Sequence, residues 1–547
     1  MIPARPQAAT RRAEFFPGLR IVSLLTLLSR LLGLVRDMGM AALFGNGAVL
    51  DAFTVAFRVP NLARRLFGEG ALTTAFIPVF VRELEQAGRE SAWKLASAVL
   101  TVLSMGLCGF VLLGELLLWS HSFFIETGGE AELLIGLIAA LFPYLILICL
   151  AAQMSAVLHA LGHFSIPALL PVLLNIIWMI GIWCVAPRFS SSWAQIHAIS
   201  ACIVAGGVLQ LVSLLPIAFR LGFRYVPNWT SAWPKVLEIA KAMLPVLVAL
   251  SVTQLNTLAD SLMAWFFSEP EIRAAQLAHV DNGAYWLASG TAAALYFGQR
   301  MYQFPLGIFG VALGTVLFPV LSRHAERGRL DLLCDDLGLG LRLVISVGLP
   351  ASAGLVLLAE PITDLLFRHG AFDANDARQT AGMIAAYGSG VWAYCALLIV
   401  HRGYYAAGDR QTPLRVGLWI VLLNLALNFA LLRPLGGRGL AMATAVSAML
   451  QVVVVLWLLQ RRIGLFDWQQ LATTVMRAGV ATVVMSLVCL WLLGQLESDE
   501  RLSQRLLAVF VPLTVSMAVY FLLARMFGMQ ELWQLFRAER NREDSEI

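Results

Sequence analysis

Six arginines stand in apolar surroundings. Arg58, Arg64 and Arg65 fall within "FRVPNLARRLFGEGALTTAFIPVF" (57–80), Arg30 and Arg36 in the apolar run before it, and Arg300 in "GQRMYQFP". A guanidinium stays charged at any physiological pH and offers a fixed fork of donors, so it grips a phosphate through two parallel hydrogen bonds. Three acids, Asp37, Asp51 and Glu69, can neutralise part of this charge or act as gating partners for it. The surplus is cationic, and a phosphate or pyrophosphate is the natural guest. Projected on an α-helix, Arg58, Asn61, Arg65 and Glu69 fall within about 80° of one another, with Arg64 to one side. Arg30 and Asp37 are seven apart and co-facial on the same projection, with Arg36 beside them.

A second group is oxygen-rich. Asp260 lies inside "TQLNTLADSLMAWFF"; Asn424 and Asn428 are one helical turn apart, and Thr444 follows on the next apolar segment. An intramembrane carboxylate is a functional hypothesis by default, so these four form a candidate cation site for sodium binding or proton coupling. The competing reading is plain helix–helix hydrogen bonding by amides and hydroxyls.

The elements that must hold these residues are membrane helices. Of 547 residues, 59% are hydrophobic and 13% charged, and the mean hydropathy is +0.77; a soluble protein carries about 25% charged residues. A charge at mid-bilayer costs about 2.5–3.5 kcal/mol, so three arginines in residues 57–80 facing lipid would cost on the order of 8–10 kcal/mol. That rivals the whole stability of a domain. They must face water, a counter-charge or a ligand.

With roughly 20 residues per crossing, fourteen spans are expected near 19–44, 51–82, 92–119, 131–159, 165–187, 193–219, 236–267, 284–322, 334–358, 379–407, 412–432, 438–460, 471–494 and 502–527. The second and eighth are too long for simple crossings and contain Pro and Gly, so they should bend or break around a cavity. Connections such as "RELEQAGRESAWK", "SRHAERGRL", "GDRQTPLR" and "QRR" are richer in Lys and Arg than "HSFFIETGGEAE" or "RHGAFDANDAR". The basic set is therefore cytoplasmic, and an even number of spans places both termini inside. The seven cysteines form no CxxC pair and are expected to be buried free thiols. No metal site is expected from Cys or His. The basic N-terminus reads as a lead-in to a retained first helix rather than a cleaved signal.

The two halves echo each other. "AFIPVFVRELEQ" (75–86) resembles "VLFPVLSRHAER" (316–327), and "LHALGHFSIP" followed by "VLLN" (172–175) resembles "YYAAGDRQTP" followed by "VLLN" (421–424). An even number of helices between copies implies a parallel repeat, the design of a transporter with two rocking lobes.

The stretches "SRLLGLVRD", "DAFTVAFRVPNLARRLFGEGALTTAFIPVF", "QRMYQFPLGIFGVALGTVLFP" and "YYAAGDRQTP" resemble the MurJ (MviN) family of lipid II flippases, within the multidrug/oligosaccharidyl-lipid/polysaccharide exporter superfamily. The resemblance covers nearly the whole chain. It implies an all-α polytopic protein of fourteen transmembrane helices in the bacterial cytoplasmic (inner) membrane. The expected order is a cytoplasmic N-terminal segment (1–18), an N-lobe of six helices (19–220), a C-lobe of six (236–461), two appended helices holding a lipid-tail groove (471–527), and a cytoplasmic tail (528–547). It also implies a central cationic cavity for a disaccharide-pyrophosphate headgroup, moved from the inner to the outer leaflet by alternating access. By motif position the family's important charges fall on Arg30, Arg36, Asp51, Arg64, Arg65, Glu69 and Arg300. One departure is that the family pattern Ala-Asp-Arg reads Gly298-Gln299-Arg300 here.

The expected partners are lipid II as substrate and the surrounding membrane lipids. No nucleic acid is expected, and the chain should act as a monomer near cell-wall synthesis enzymes. No cofactor is expected beyond a coupling sodium ion or proton. The alternative is a cation-coupled multidrug exporter, against whose cationic or amphipathic guests a surplus of arginine argues, or an exporter of another polysaccharide-lipid in the same superfamily. An enzyme, such as a lipid-linked glycosyltransferase, would need surface acids or a metal and sizeable outside loops, and neither is evident. A scaffold leaves the buried arginines unexplained.

Overall fold

The computed structural model describes residues 8–68, 70–124, 129–227, 230–269, 286–464, 467–496 and 501–533. It is helical throughout, with one isolated bridge between Ser268 and Leu287 among the described residues. In chain order the helices are α1 (Ala8–Phe44), α2 (Ala48–Ala63), α3 (Ala71–Gln86), α4 (Gly88–Phe124), α5 (Glu130–Ala160), α6 (Ser165–Ile180), α7 (Ser192–Arg220) and α8 (Trp233–Phe266). Then follow α9 (Thr291–Pro305), α10 (Ala312–Glu326), α11 (Leu330–Leu357), α12 (Ala359–Leu366), α13 (Ala374–Gly388), α14 (Val391–Ala406), α15 (Gln411–Leu435), α16 (Gly437–Ile463), α17 (Trp468–Gln495) and α18 (Leu502–Met526).

Eleven helical runs among the described residues are long and apolar enough to cross a membrane. Each overlaps one of the expected spans. The other three expected spans coincide with α1, with α2 and α3, and with α8. These carry most of the intramembrane charges, so apolarity and length mark eleven spans among the described residues rather than the expected fourteen.

The two overlong spans break as expected. Pro60 precedes a π-helical segment, Arg64–Gly68, between α2 and α3. Pro305 precedes another, Leu306–Val311, between α9 and α10. A proline removes one rung of the hydrogen-bond ladder, and a wide turn often accompanies such a break at functional positions. Past the first break the backbone packs tightly: a Cβ on Gly70 would lie 2.9 Å from the Arg65 carbonyl and closer still to the Leu250 side chain.

Packing divides the chain into two compact units, Met1–Leu258 with Pro270–Val280, and Ala259–Glu269 with Asp281–Ile547. The division falls inside α8, beyond residue 236 where the C-lobe was expected to open. The reason lies in the first turns of α8. There Lys235 pairs with Glu83, which also accepts from the Ser91 hydroxyl, and Glu238 pairs with Arg82 at 3.1 Å.

The first unit packs Phe76, Phe80, Trp93, Leu95, Val157 and Leu214 into its core; the second uses Leu333, Leu337, Leu341, Ile399, Tyr404, Val455 and Leu459, joined by Ala478 of α17 and Tyr520 of α18. The repeat is visible in the order of elements and in local geometry. α5 and α14 both end on a glycine with positive φ, Gly162 (82°) and Gly408 (76°). In each case the next amide reaches back to the last turn, His163 to the Leu158 carbonyl (2.8 Å) and Asp409 to the Tyr404 carbonyl (2.9 Å). A side chain at those glycines would strain the left-handed turn. All seven cysteines are free thiols, as expected, but Cys108 and Cys184 are exposed rather than buried. Cys202 is only partly buried.

Candidate functional site

In the first unit α1 changes character along its length. Arg30 is exposed, whereas Arg36 and Asp37 are each only 4% exposed. The seven-residue spacing that makes Arg30 and Asp37 co-facial therefore does not make them neighbours in burial. α6 covers the later turns of α1 and contributes Asn175 and Trp178. Arg36 donates from Nε (3.0 Å) and Nη2 (2.5 Å) to Asp37 Oδ1, and from Nη1 to Asn175 Oδ1 (2.9 Å). Its guanidinium carbon stands 4.1 Å from the centre of the Trp178 ring. Asn175 in turn donates to the Ser29 carbonyl (3.0 Å). Arg36 is thus held by an acid, an amide and an aromatic face at once.

On α2, Asp51 is 2% exposed and lies in the first turn, where a carboxylate complements the helix dipole. Arg58 and Asn61 are half-buried further along the same helix. The wide turn beginning at Arg64 ends the regular 100° projection, so the face drawn through Arg58, Asn61, Arg65 and Glu69 does not continue past it. Arg64, placed to one side by that projection, instead bonds Asn61 Oδ1 from Nε (3.3 Å) and Nη2 (3.0 Å). Arg65 reaches Gln254 Oε1 of α8 at 3.4 Å. Glu69 lies outside the described residues.

In the second unit Arg300 lies on α9 beside Tyr296, one turn earlier. Its Nη2 and Nε stand 2.9 and 3.2 Å from the phenol oxygen, and its guanidinium lies 5.2 Å from the ring centre. Gln299, in the place of the family's acid, is buried and donates to the Tyr387 hydroxyl at 3.1 Å. Tyr302 packs between Tyr387 and Tyr394 with ring centres 5.2 and 4.8 Å away. Gln299, one residue before the last arginine, thus meets an aromatic cluster.

The four residues of the oxygen-rich group do converge, from α8, α15 and α16. Asp260 is 1% exposed. Its Oδ1 accepts from Asn428 Nδ2 (2.7 Å), and its Oδ2 from the Thr444 hydroxyl (3.1 Å). Asn428 Nδ2 also reaches Asn424 Oδ1 (3.2 Å), and Asn424 Nδ2 reaches Thr444 Oγ1 (3.4 Å). Asn428 Oδ1 is shielded from solvent and has no hydrogen-bond partner. A carboxylate with amide and hydroxyl oxygens is a hard donor set, suited to an alkali or alkaline-earth cation rather than to a soft metal. Among the described residues no group of three or more His, Cys, Asp or Glu side chains gathers to hold a metal ion.

Sequence reasoning missed Asn175, Trp178, Gln254, Tyr296 and Tyr387. Asn175 carried a signal as the last residue of the repeated "VLLN", and Tyr296 as the residue four before Arg300. Gln254 and Tyr387 carried none, because their partners are distant in sequence.

The family model described as "Lipid II flippase MurJ" matches residues 40–499. A probable lipid II flippase MurJ of Vibrio cholerae is 31% identical over 528 residues, covering 93% of this chain and 95% of that one. Among solved structures, a lipid II flippase MurJ in an inward closed conformation superposes with a TM-score of 0.74 at 23% identity, covering 93% of this chain and 99% of the other. An inward-facing multidrug resistance transporter of the MATE family and MOP superfamily superposes with a TM-score of 0.63 at 14% identity, covering 81% and 97%. At such identities the likeness to the solved structures is one of fold.

Proposed function

The chain belongs to the lipid II flippase MurJ family, and from that premise we propose that it moves lipid II, the undecaprenyl-pyrophosphate-linked peptidoglycan precursor, from the inner to the outer leaflet of the cytoplasmic membrane. The observation that carries this reading is the extent of the family match, residues 40–499, which runs through both repeated sets of helices. The protein is a multi-pass membrane transporter, and its work is translocation rather than the making or breaking of bonds. The basic connections favour cytoplasmic termini.

In this reading Arg30, Arg58, Arg64, Arg65 and Arg300 receive the pyrophosphate during alternating access, while the polyprenyl tail stays in lipid. Arg36 has most of its donors on Asp37 and Asn175 and acts first by fixing α1 against α6. Asp51 and Glu69 compete for the arginines and loosen the guest on the outer side. Membrane potential, outside positive, assists outward movement of an anion by about 2.3 kcal/mol per charge per 100 mV. The Asp260 group couples transport to a sodium ion or proton: its oxygens would hold the cation once Asn428 turns its amide oxygen inward. The multidrug reading has the shared fold in its favour, but a surplus of arginine does not suit cationic drugs.

The test has two arms. Depleting the protein in cells should leave lipid II on the inner leaflet; accumulation on the outer leaflet would end the proposal. Arg65→Lys keeps the charge and loses the fork, and should weaken headgroup binding by about tenfold. Unchanged binding would remove the two-pronged contact.

A further inference from the structure

The second unit holds a cationic recess that no step above uses. α12 ends at Leu366, and the turn after it brings Arg368, His369, Gly370 and Phe372 up to Leu502 and Arg505 in the first turns of α18. Among the described residues these six line a cavity of about 610 Å³, and none of the six is a carboxylate. Arg505 is fixed by one nitrogen: its Nη1 donates to the carbonyls of Arg368 (2.8 Å) and Asp364 (3.2 Å), which close the end of α12. Its Nε and Nη2 take no part in those bonds. Arg368 is steadied by Asp364 at 3.5 Å, one turn earlier. His369 Nε2 meets the Leu365 carbonyl at 3.1 Å. The cations are therefore held in place before any ligand arrives.

Location sharpens the chemistry. α11 starts at the basic "SRHAERGRL" connection and ends just before α12, while α13 and α14 run back to the basic "GDRQTPLR" connection. The recess thus lies at the end of this unit away from the Arg-rich loops, where the positive-inside rule predicts few arginines. Below it, Leu502, Leu506, Phe510, Leu513 and Met517 are all exposed, and their spacing sets them on one face of α18. Cations at the membrane edge above an uncovered apolar stripe match an amphiphile with an anionic head.

We propose that this recess binds the phosphate of an anionic glycerophospholipid in the leaflet at that face, with Arg368 and Arg505 on the phosphate and an acyl chain along the α18 stripe. Basic pockets between transmembrane helices recognise anionic headgroups by the same chemistry. The inference does not rest on the flippase reading, and its failure leaves that reading untouched.

The experiment is native mass spectrometry of the purified full chain titrated with phosphatidylglycerol and, separately, phosphatidylcholine. Wild type should retain phosphatidylglycerol in preference to phosphatidylcholine, and Arg368→Gln should weaken that retention by about tenfold. Arg505→Gln risks opening the end of α12, so Arg505→Lys is the companion variant. It should keep the melting temperature near wild type and still lose affinity, because the fork is gone. Phosphatidylglycerol should resist displacement by undecaprenyl phosphate; ready displacement would hand the recess to prenyl lipids and overturn the proposal. Equal retention of the two glycerolipids, no change in Arg368→Gln, or equally good occupancy by inorganic phosphate would overturn the proposal. So would phosphatidylglycerol binding that appears only after Glu497, Asp499 and Glu500, which precede α18 in sequence, are changed to amides.

Discussion

α6 in the first unit and α15 in the second both carry "VLLN", ending on Asn175 and Asn424, yet the two asparagines serve opposite charges. Asn175 accepts from the guanidinium of Arg36, whose own neighbour Asp37 already neutralises it. Asn424 accepts from Asn428, which passes its amide on to the carboxylate of Asp260. The difference is one of closure. An acid and a base in contact cancel, and such a pair serves as a fastening. Asn428 and Thr444 bring Asp260 neutral donors, an amide and a hydroxyl, where Asp37 brings Arg36 a full opposite charge. A repeat that keeps its backbone and one amide has set the same corner of the fold against opposite charges.

The comparison is broken most sharply in the first unit. Asp37→Ala takes the adjacent carboxylate from the buried Arg36 and should cost about 3–5 kcal/mol, seen as a large drop in the thermal unfolding temperature of the purified protein. Arg36→Met combined with Asp37→Ala should recover much of that loss, since no charge is then stranded; a double variant as unstable as the single would mean the pair is not the fastening. In the second unit Asp260→Asn should cost less, about 1–2 kcal/mol, and should abolish a sodium-dependent rise in melting temperature that wild type shows by linkage. A wild-type melt that ignores sodium at constant ionic strength would remove the coupling role. Asn428→Asp sharpens the contrast: a second carboxylate should enlarge the sodium response and lower stability when sodium is absent.

The smallest effect is set by pH at the repeat's other divergent position, where His163 in the first unit corresponds to Asp409 in the second. Burial by itself would push the Asp409 carboxyl up. The Thr412 hydroxyl and amide, the Arg462 guanidinium at 2.5 Å and the Gln411 amide together outweigh burial and hold it below the usual range. A depressed folded value means that Asp409 contributes stability above its unfolded value of about 3.9, and that this contribution is lost as pH falls through the lower folded value. Asp409→Asn should therefore flatten the acid limb of the stability curve and leave its shape near neutrality unchanged. An acid limb identical to wild type would show that the carboxylate titrates unperturbed.

Much of this was legible along the chain. Apolar runs of the right length fixed the helices because a bilayer demands that every backbone group be satisfied within its own segment. Pro60 and Pro305 marked the breaks in the long spans, since proline cannot complete the ladder. Asp260, Asn424, Asn428 and Thr444 were recognisable as a group because polar atoms inside a membrane must meet one another. The ends of α5 and α14, at Ala160 and Ala406, fall one residue from the expected limits at 159 and 407. The face assigned to Arg58, Asn61 and Arg65 was less secure. A constant 100° step cannot foresee a wide turn, which places Arg64 on Asn61 and Arg65 on Gln254.

The sequence by itself determined that this chain is a helical membrane protein built twice over, with guanidinium groups and one central carboxylate where lipid would reject them, because composition and periodicity act locally and leave few alternatives. Only the tertiary structure decided which partners those charges meet. That outcome depends on residues far apart in the chain, Arg36 with Asn175 or Asp260 with Asn428, coming within hydrogen-bond distance, and charge interactions in a low-dielectric interior change steeply over the few ångströms that packing alone sets.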